Sequence, residues 1–376
     1  MPHIAIIGSG FAALTAVREL RKRRVAADIT VISPRDTLHY LPSSIWIPAG
    51  LRKGEALKLP LARFFARHQV RHLRASVTGL NAARREITTD TGEVIGAEHI
   101  LIAAGGRFLR RLPGIENAII PCEGIVSAEA MTARLAELDG GTIAIGMATN
   151  PNEPGAIRGG PIFEYAFILD TLLRKQGRRD RFGITFFSPS PRPGQRLGEK
   201  AVDGILAEMK RRGFDTHLGH KMVRIDPDRV VTEGGEIAAE LILFQPGMTG
   251  LPWFADTDLP LSPGGMIRAD ALCRVEGCEG VWVAGDSGSY PGPDWLPKQA
   301  HQADLQAKAA AANITDALAG KTPSTPFTAE LICIMDSLDK GMLVFRRGRI
   351  NLTLPALRPL HWLKRAFERH YLRAYR

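Results

Sequence analysis

The chain opens on an unbroken apolar run, Ile4-Ala5-Ile6-Ile7, which stops at Gly8-Ser9-Gly10-Phe11-Ala12-Ala13 and resumes with helical apolar spacing to Arg24. A short continuous run bounded by glycine predicts a strand buried on both faces, as in a parallel sheet. A second such run, Asp28-Ile29-Thr30-Val31-Ile32-Ser33, completes a β-turn-α-β unit. The form recurs at Ile100–Ala103, ending Ala104-Gly105-Gly106, at Thr142–Ile145, ending Gly146, and at Val281–Val283, ending Ala284-Gly285-Asp286. Residues 75–95 instead alternate polar and apolar about Asp90-Thr91-Gly92-Glu93, which predicts a small antiparallel ribbon.

The glycine turn is where chemistry enters. In a strand-turn-helix, Gly8 makes the tight turn, Gly10 lets backbone approach a pyrophosphate at the helix N-terminus, and Ala13 permits close helix–strand packing. An acidic residue normally ends the second strand and holds a ribose; Ser33 stands there, with Arg35 and Asp36 beyond. The ribose then falls to the hydroxyl, the backbone or a shifted Asp36. The second α/β unit departs further, because Gly146 is followed by Met147-Ala148-Thr149-Asn150-Pro151. With the later glycines absent, this loop predicts a retained fold that no longer binds a second dinucleotide.

Composition adds one strong signal. The net charge is +10, and between Arg346 and Arg376 there are nine Lys/Arg against Glu368 alone. From Leu360 the apolar residues Leu360, Leu363, Phe367, Tyr371 and Ala374 recur at helical spacing, with Trp362 and Tyr375 beside them. A basic amphipathic helix of this kind predicts contact with an anionic membrane surface, with docking on the body or a dimer contact as the alternatives. Nucleic acid is not expected, since no nucleic-acid-binding fold accompanies the charge. No secretory leader and no spanning segment is expected. Cys122, Cys273, Cys278 and Cys333 are too scattered for a disulfide framework, and no metal site is expected.

Taken together, Gly-x-Gly-x-x-Ala at Gly8, Ala103-Ala104-Gly105-Gly106, Val283-Ala284-Gly285-Asp286, Tyr40-Leu41-Pro42-Ser43, Gly160-Pro161-Ile162-Phe163-Glu164, Leu296-Pro297-Lys298-Gln299 and Cys333-Ile334-Met335-Asp336 stand in a telling order. In this the chain resembles sulfide:quinone oxidoreductases and the flavoprotein subunit of flavocytochrome c sulfide dehydrogenase, within the two-dinucleotide-domain flavoproteins. The resemblance implies an α/β protein with two Rossmann-like dinucleotide-binding domains of the flavoprotein disulfide-reductase type and a C-terminal amphipathic membrane-contact region. Its expected boundaries are 1–108 with 248–325 for the FAD domain, 109–247 for the second domain, and 326–376 for the tail. The implied cofactor is FAD, held by Gly8, Gly10, Phe11, Ala12, Ser33, Arg35, Ala104, Gly105, Gly285, Asp286 and Lys298. Lys298 would meet the pyrimidine edge of the flavin, and Asp286 its ribityl chain. A ring packing beside the flavin is the expected place of His39.

The implied activity passes two electrons from sulfide or another small reductant through FAD to a quinone, at the cytoplasmic face of a membrane, with a homo-oligomer left open. A type-two NADH:quinone dehydrogenase and a non-catalytic flavin sensor or assembly protein are the alternatives. The catalytic candidates are Cys333, Cys122 and Glu164, the last as a proton relay. The family's other redox cysteine would fall at Ile157 or Arg158, where none exists. Three readings stay open: a Cys122–Cys333 redox pair, direct reduction of the flavin without a disulfide, or Cys333 alone as a thiolate favoured by Arg158. Cys273 and Cys278, in a turn before the Gly-Asp strand, are expected to be structural.

Overall fold

A computed structural model describes residues 1–376. Its first sheet is parallel and runs, edge to edge, Val281–Val283, His99–Ile102, His3–Ile7, Asp28–Ile32, Val70–Leu73. Side chains alternate across a strand, so Ile4 and Ile6 join one core and Ala5 and Ile7 the other. The first core is shared with Leu14 and Val17 of the helix Phe11–Lys22 and with Ala307, Ala310 and Ile314 of the helix Ala300–Leu318. Burial on both faces is why these strands carry apolar runs rather than alternation.

The second sheet is also parallel: Asp215–Leu218, Phe182–Ser188, Gly141–Met147, Leu241–Gln245. It is backed by the helix Gly160–Lys175, buried without interruption from Ile162 to Thr171. Gly146 serves packing here. A Cβ on it would meet the Phe187 ring at 2.3 Å, and that ring stacks on Phe244 at 5.7 Å. Asp170, wholly buried on the same helix, holds Arg179 at 2.6 Å, Arg212 at 2.8 Å and Arg174 at 2.9 Å. The expected ribbon at 75–95 is a three-stranded antiparallel sheet, because the turn at 82–85 adds a second reversal.

The last sheet is antiparallel, Glu330–Asp336, Gly341–Arg347 and Ile350–Leu357, and it hands over to the tail helix Arg358–Leu372. No helix is long and apolar enough to cross a membrane. The tail corrects the expected stripe. Leu360, Glu368, Leu372 and Tyr375 are buried, and Tyr371 packs on Phe11 and Tyr40 at 5.9 and 5.7 Å. Trp362, Leu363 and Phe367 form the outward apolar set instead, each more than half exposed. Leu360 and Tyr371 therefore belong to the docked face, and Glu368 turns inward to Arg52, its Oε1 2.8 Å from Nε.

Candidate active site and cofactor cavity

The carboxyl ends of the first sheet's strands open into one cavity of about 3100 Å³. At its inner end Gly8 holds φ +112°, and a Cβ there would strike Ala103 O at 2.3 Å. Only glycine fits that turn. Gly10 caps the following helix, and a Cβ on it would have no neighbour within 4 Å, so the backbone faces open space. Phe11, Ala12, Ala104, Gly105, Gly285 and Arg35 line the same space. Ser33 lines it too, but its hydroxyl donates to Arg35 O at 2.6 Å and lies 3.1 Å from His72 Nε2. It shapes the turn, and Asp36 is not part of the cavity wall.

Midway, Asp286 Oδ2 accepts from Arg158 Nη2, whose guanidinium lies over the Phe108 ring at 5.9 Å. Lys298 precedes the helix Ala300–Leu318, and its Nζ donates to Gly288 O and, at 3.4 Å, to Asp286 O. Burial pushes the Lys298 ammonium below its usual range, with Asp286 opposing that shift. His39 also lines the cavity, and burial followed by Arg35 and Lys58 keeps its ring below the usual imidazole range.

The outer half brings Cys122, Cys333 and Glu164 to one wall. A Cβ on Gly160 would stand 3.5 Å from Cys333 Sγ, which places the thiol over the first turn of the Gly160–Lys175 helix. Burial pushes both Cys122 and Cys333 up to about 12. Glu164 raises each further, against Arg158 for Cys122 and Lys364 for Cys333. Of the three open readings, the one that sets Arg158 beside Cys333 finds no support in this arrangement. Arg158 is committed to Asp286 and acts on Cys122, and the cation acting on Cys333 is Lys364. Both cysteines are free thiols, as are Cys273 and Cys278.

Glu164 is buried, and Lys364 Nζ donates to its Oε1 while also reaching Ile334 O at 2.9 Å. Burial raises the carboxyl above its usual range although the paired ammonium pulls the other way, so desolvation wins. Glu164 Oε1 also accepts the Asp336 backbone N–H at 2.8 Å, and Asp336 holds His361 Nδ1 at 2.6 Å. Lys364, Asp336 and His361 were not among the sequence candidates. Lys364 reads as one more basic residue of a basic helix. A signal lay in the inward period Leu360, Lys364, Glu368, which places it on the same face as a buried leucine.

The sequence profile of the pyridine nucleotide-disulphide oxidoreductases matches residues 2–307. The chain belongs to that family. Within it, a sulfide-quinone reductase of Aquifex aeolicus is 24% identical over 98% of this chain and 90% of its own. A type II NADH:quinone oxidoreductase of Staphylococcus saprophyticus is 21% identical over 86% of this chain and 84% of its own. Among solved structures, the sulfide:quinone oxidoreductase from Aquifex aeolicus superposes with a TM-score of 0.90 at 22% identity, covering all of this chain and 92% of that one. As a pyridine nucleotide-disulphide oxidoreductase the chain is an FAD-binding, flavin-dependent oxidoreductase. The cavity fits that cofactor: the open backbone at Gly10 suits a pyrophosphate, and half-buried Lys298 midway along it suits an electron-rich flavin edge.

Proposed function

We propose that this protein is a peripheral membrane enzyme that passes two electrons from a small sulfide-like donor to a quinone. The observation that carries this reading is the course of the cavity. It runs from the glycine turn, past Asp286 and Glu164, to a lip formed by Ile332, Leu352, Leu363 and Phe367, which line it and are also 40 to 53% exposed. An apolar lip of that size is where an apolar ring system would arrive, and the basic residues beside it suit an anionic bilayer. Gly8, Gly10, Phe11, Ala12, Ser33, Arg35, Ala104, Gly105, Gly285, Asp286 and Lys298 would hold FAD.

When bound, FAD would supply two-electron redox chemistry between the donor and the quinone. Lys298 would stabilise the added negative charge near the pyrimidine edge. Glu164 would handle a proton, since burial keeps a proton on it at higher pH than an ordinary carboxyl and its place on the cavity wall gives it access to the acceptor. The thiols of Cys122 and Cys333 stay protonated near neutral pH, which supports direct reduction by the donor rather than a disulfide relay.

The NADH-oxidising alternative is disfavoured by the loop after Gly141–Met147. Gly146 is taken up by the Phe187 ring, and buried Asn150 is pinned to Met248 O at 2.9 Å and Gly264 O at 3.2 Å. An anaerobic titration of the FAD-loaded protein with sulfide, persulfide, sulfite and NADH tests the reading. Sulfide-like donors are expected to bleach the flavin and a quinone to restore it. Bleaching by NADH alone would point to the alternative, and no turnover with any pair to a sensor.

A further inference from the structure

The tail helix turns two polar residues inward one turn apart, His361 and Lys364, and they grip two buried carboxylates that are themselves neighbours. Lys364 Nζ donates to Glu164 Oε1, and the Asp336 backbone N–H donates to the same oxygen at 2.8 Å. His361 Nδ1 lies 2.6 Å from Asp336 Oδ2. Asp336 Oδ1 accepts from Trp46 Nε1 at 3.2 Å and from the Leu338 N–H at 2.8 Å. Asp336 is wholly buried, so its charge acts on Glu164 with little screening. His361 keeps 5% of its side chain exposed, beside the exposed ring of Trp362 at 5.5 Å. Neither Asp336 nor His361 lines the cavity, and the electron path uses neither.

The charges show why the pair matters. Two carboxylates share one permanent cation, Lys364, and the second cation can only be a protonated His361. The nearby Arg52 is matched by Glu368. We propose that Asp336 and His361 form a positioning dyad that sets how tightly Glu164 holds its proton. This rests on the reading of Glu164 as the proton-handling carboxyl. With His361 neutral, Asp336 is a bare anion beside Glu164, and like charges disfavour a second ionisation. With a proton taken from water onto His361, the Asp336 charge is cancelled and Glu164 releases its proton more readily.

Glu164 is faced by Lys364 from the tail helix, by Asp336 and Cys333 from the strand Glu330–Asp336, and by Cys122 from the turn Pro121–Glu123. His361 is faced by Asp336 and by the Trp46 ring, over which Arg52 and Lys364 lie at 5.3 and 5.9 Å.

The test uses the FAD-loaded full chain, sulfide as donor and a short-chain quinone as acceptor. Two quantities are read against pH: kcat for quinone reduction, and the pH at which the flavin potential changes slope in a dye-coupled titration that needs no quinone. His361→Gln removes the titratable cation and is expected to move both midpoints up by about one unit, while Asp336→Asn removes the anion and moves them down by about as much. KM for the quinone and the flavin content are expected to hold. If Asp336→Asn fails to retain FAD, His361→Lys supplies a permanent cation and carries the downward arm. Shifts in the same direction, or midpoints that stay in place, overturn the dyad. Glu164→Gln separates the two failures. If it leaves both pH profiles unchanged, the reading of Glu164 falls and the dyad with it. If it removes the break while the dyad variants do not move it, the dyad alone is wrong.

Discussion

At the scale of single residues, burial decides the chemistry. Cys333 and Cys122 sit on the cavity wall yet are pushed up to about 12, so neither offers much thiolate at neutral pH. Cys333→Ala is therefore expected to keep sulfide bleaching of the flavin within about threefold of the parent rate, measured anaerobically by stopped flow. Loss of bleaching would restore a cysteine-dependent route. Glu164→Gln removes the proton but keeps the shape, and quinone turnover is expected to fall on the order of 100-fold with little change in flavin binding. The glycine-turn residues were legible because a turn is local: Gly8 and Gly10 declare their backbone by spacing alone. Lys364 and Glu164 meet across 200 positions, and no local pattern carries such a pair.

Among elements, the tail helix is the one whose role the sequence half disclosed. Its basic amphipathic character was plain, but which residues face outward depended on a body the helix had yet to find. Docking takes Leu360, Tyr371 and Tyr375 and leaves Leu363 and Phe367 at the cavity lip, with Trp362 exposed on the same helix. Replacing those three with serine is expected to abolish sedimentation with vesicles of mixed neutral and anionic lipid while leaving the flavin spectrum intact. Binding of the parent should also weaken with salt, since each nearby Lys or Arg contributes about 1 kcal/mol at an anionic surface. Unchanged sedimentation of the triple variant would assign the exposed set to a protein contact. The five apolar runs that end in glycine or small residues were legible to within a residue or two, because burial on both faces leaves them unbroken, whereas Phe182–Ser188, Leu241–Gln245 and the C-terminal sheet carried no such punctuation and were not read.

For the whole molecule, stability and cofactor choice both trace to the second sheet. Asp170 carries three arginines in a buried position, and although burial alone would raise its carboxyl, the Arg174, Arg179 and Arg212 contacts hold it below its ordinary value of 3.8. A depressed folded-state value contributes stability above the unfolded value and loses it as pH falls through the folded one. Asp170→Ala, which leaves the buried Arg212 with Glu208 as its remaining carboxylate, is expected to cost about 3 kcal/mol by chemical denaturation and to blunt the response to acid below about pH 4. The same sheet lacks a second glycine turn, so millimolar NADH is expected to leave the flavin oxidised. The two-sheet plan could be read from the recurring runs. The meeting of the tail with Glu164 and Asp336 could not, since it needs both ends of the chain in place.

That meeting has a consequence for how the chain can change. Residues Arg358 to Leu372 present the lip on one side and Lys364, Glu368 and Tyr371 on the other, in a single helical phase. One inserted residue would turn everything after it by about 100°. An insertion just before Lys364 would carry its charge to the place Arg365 now holds, away from Glu164, and swing Phe367 into the inward place of Glu368. Substitutions can drift on this helix, but its length and register are locked.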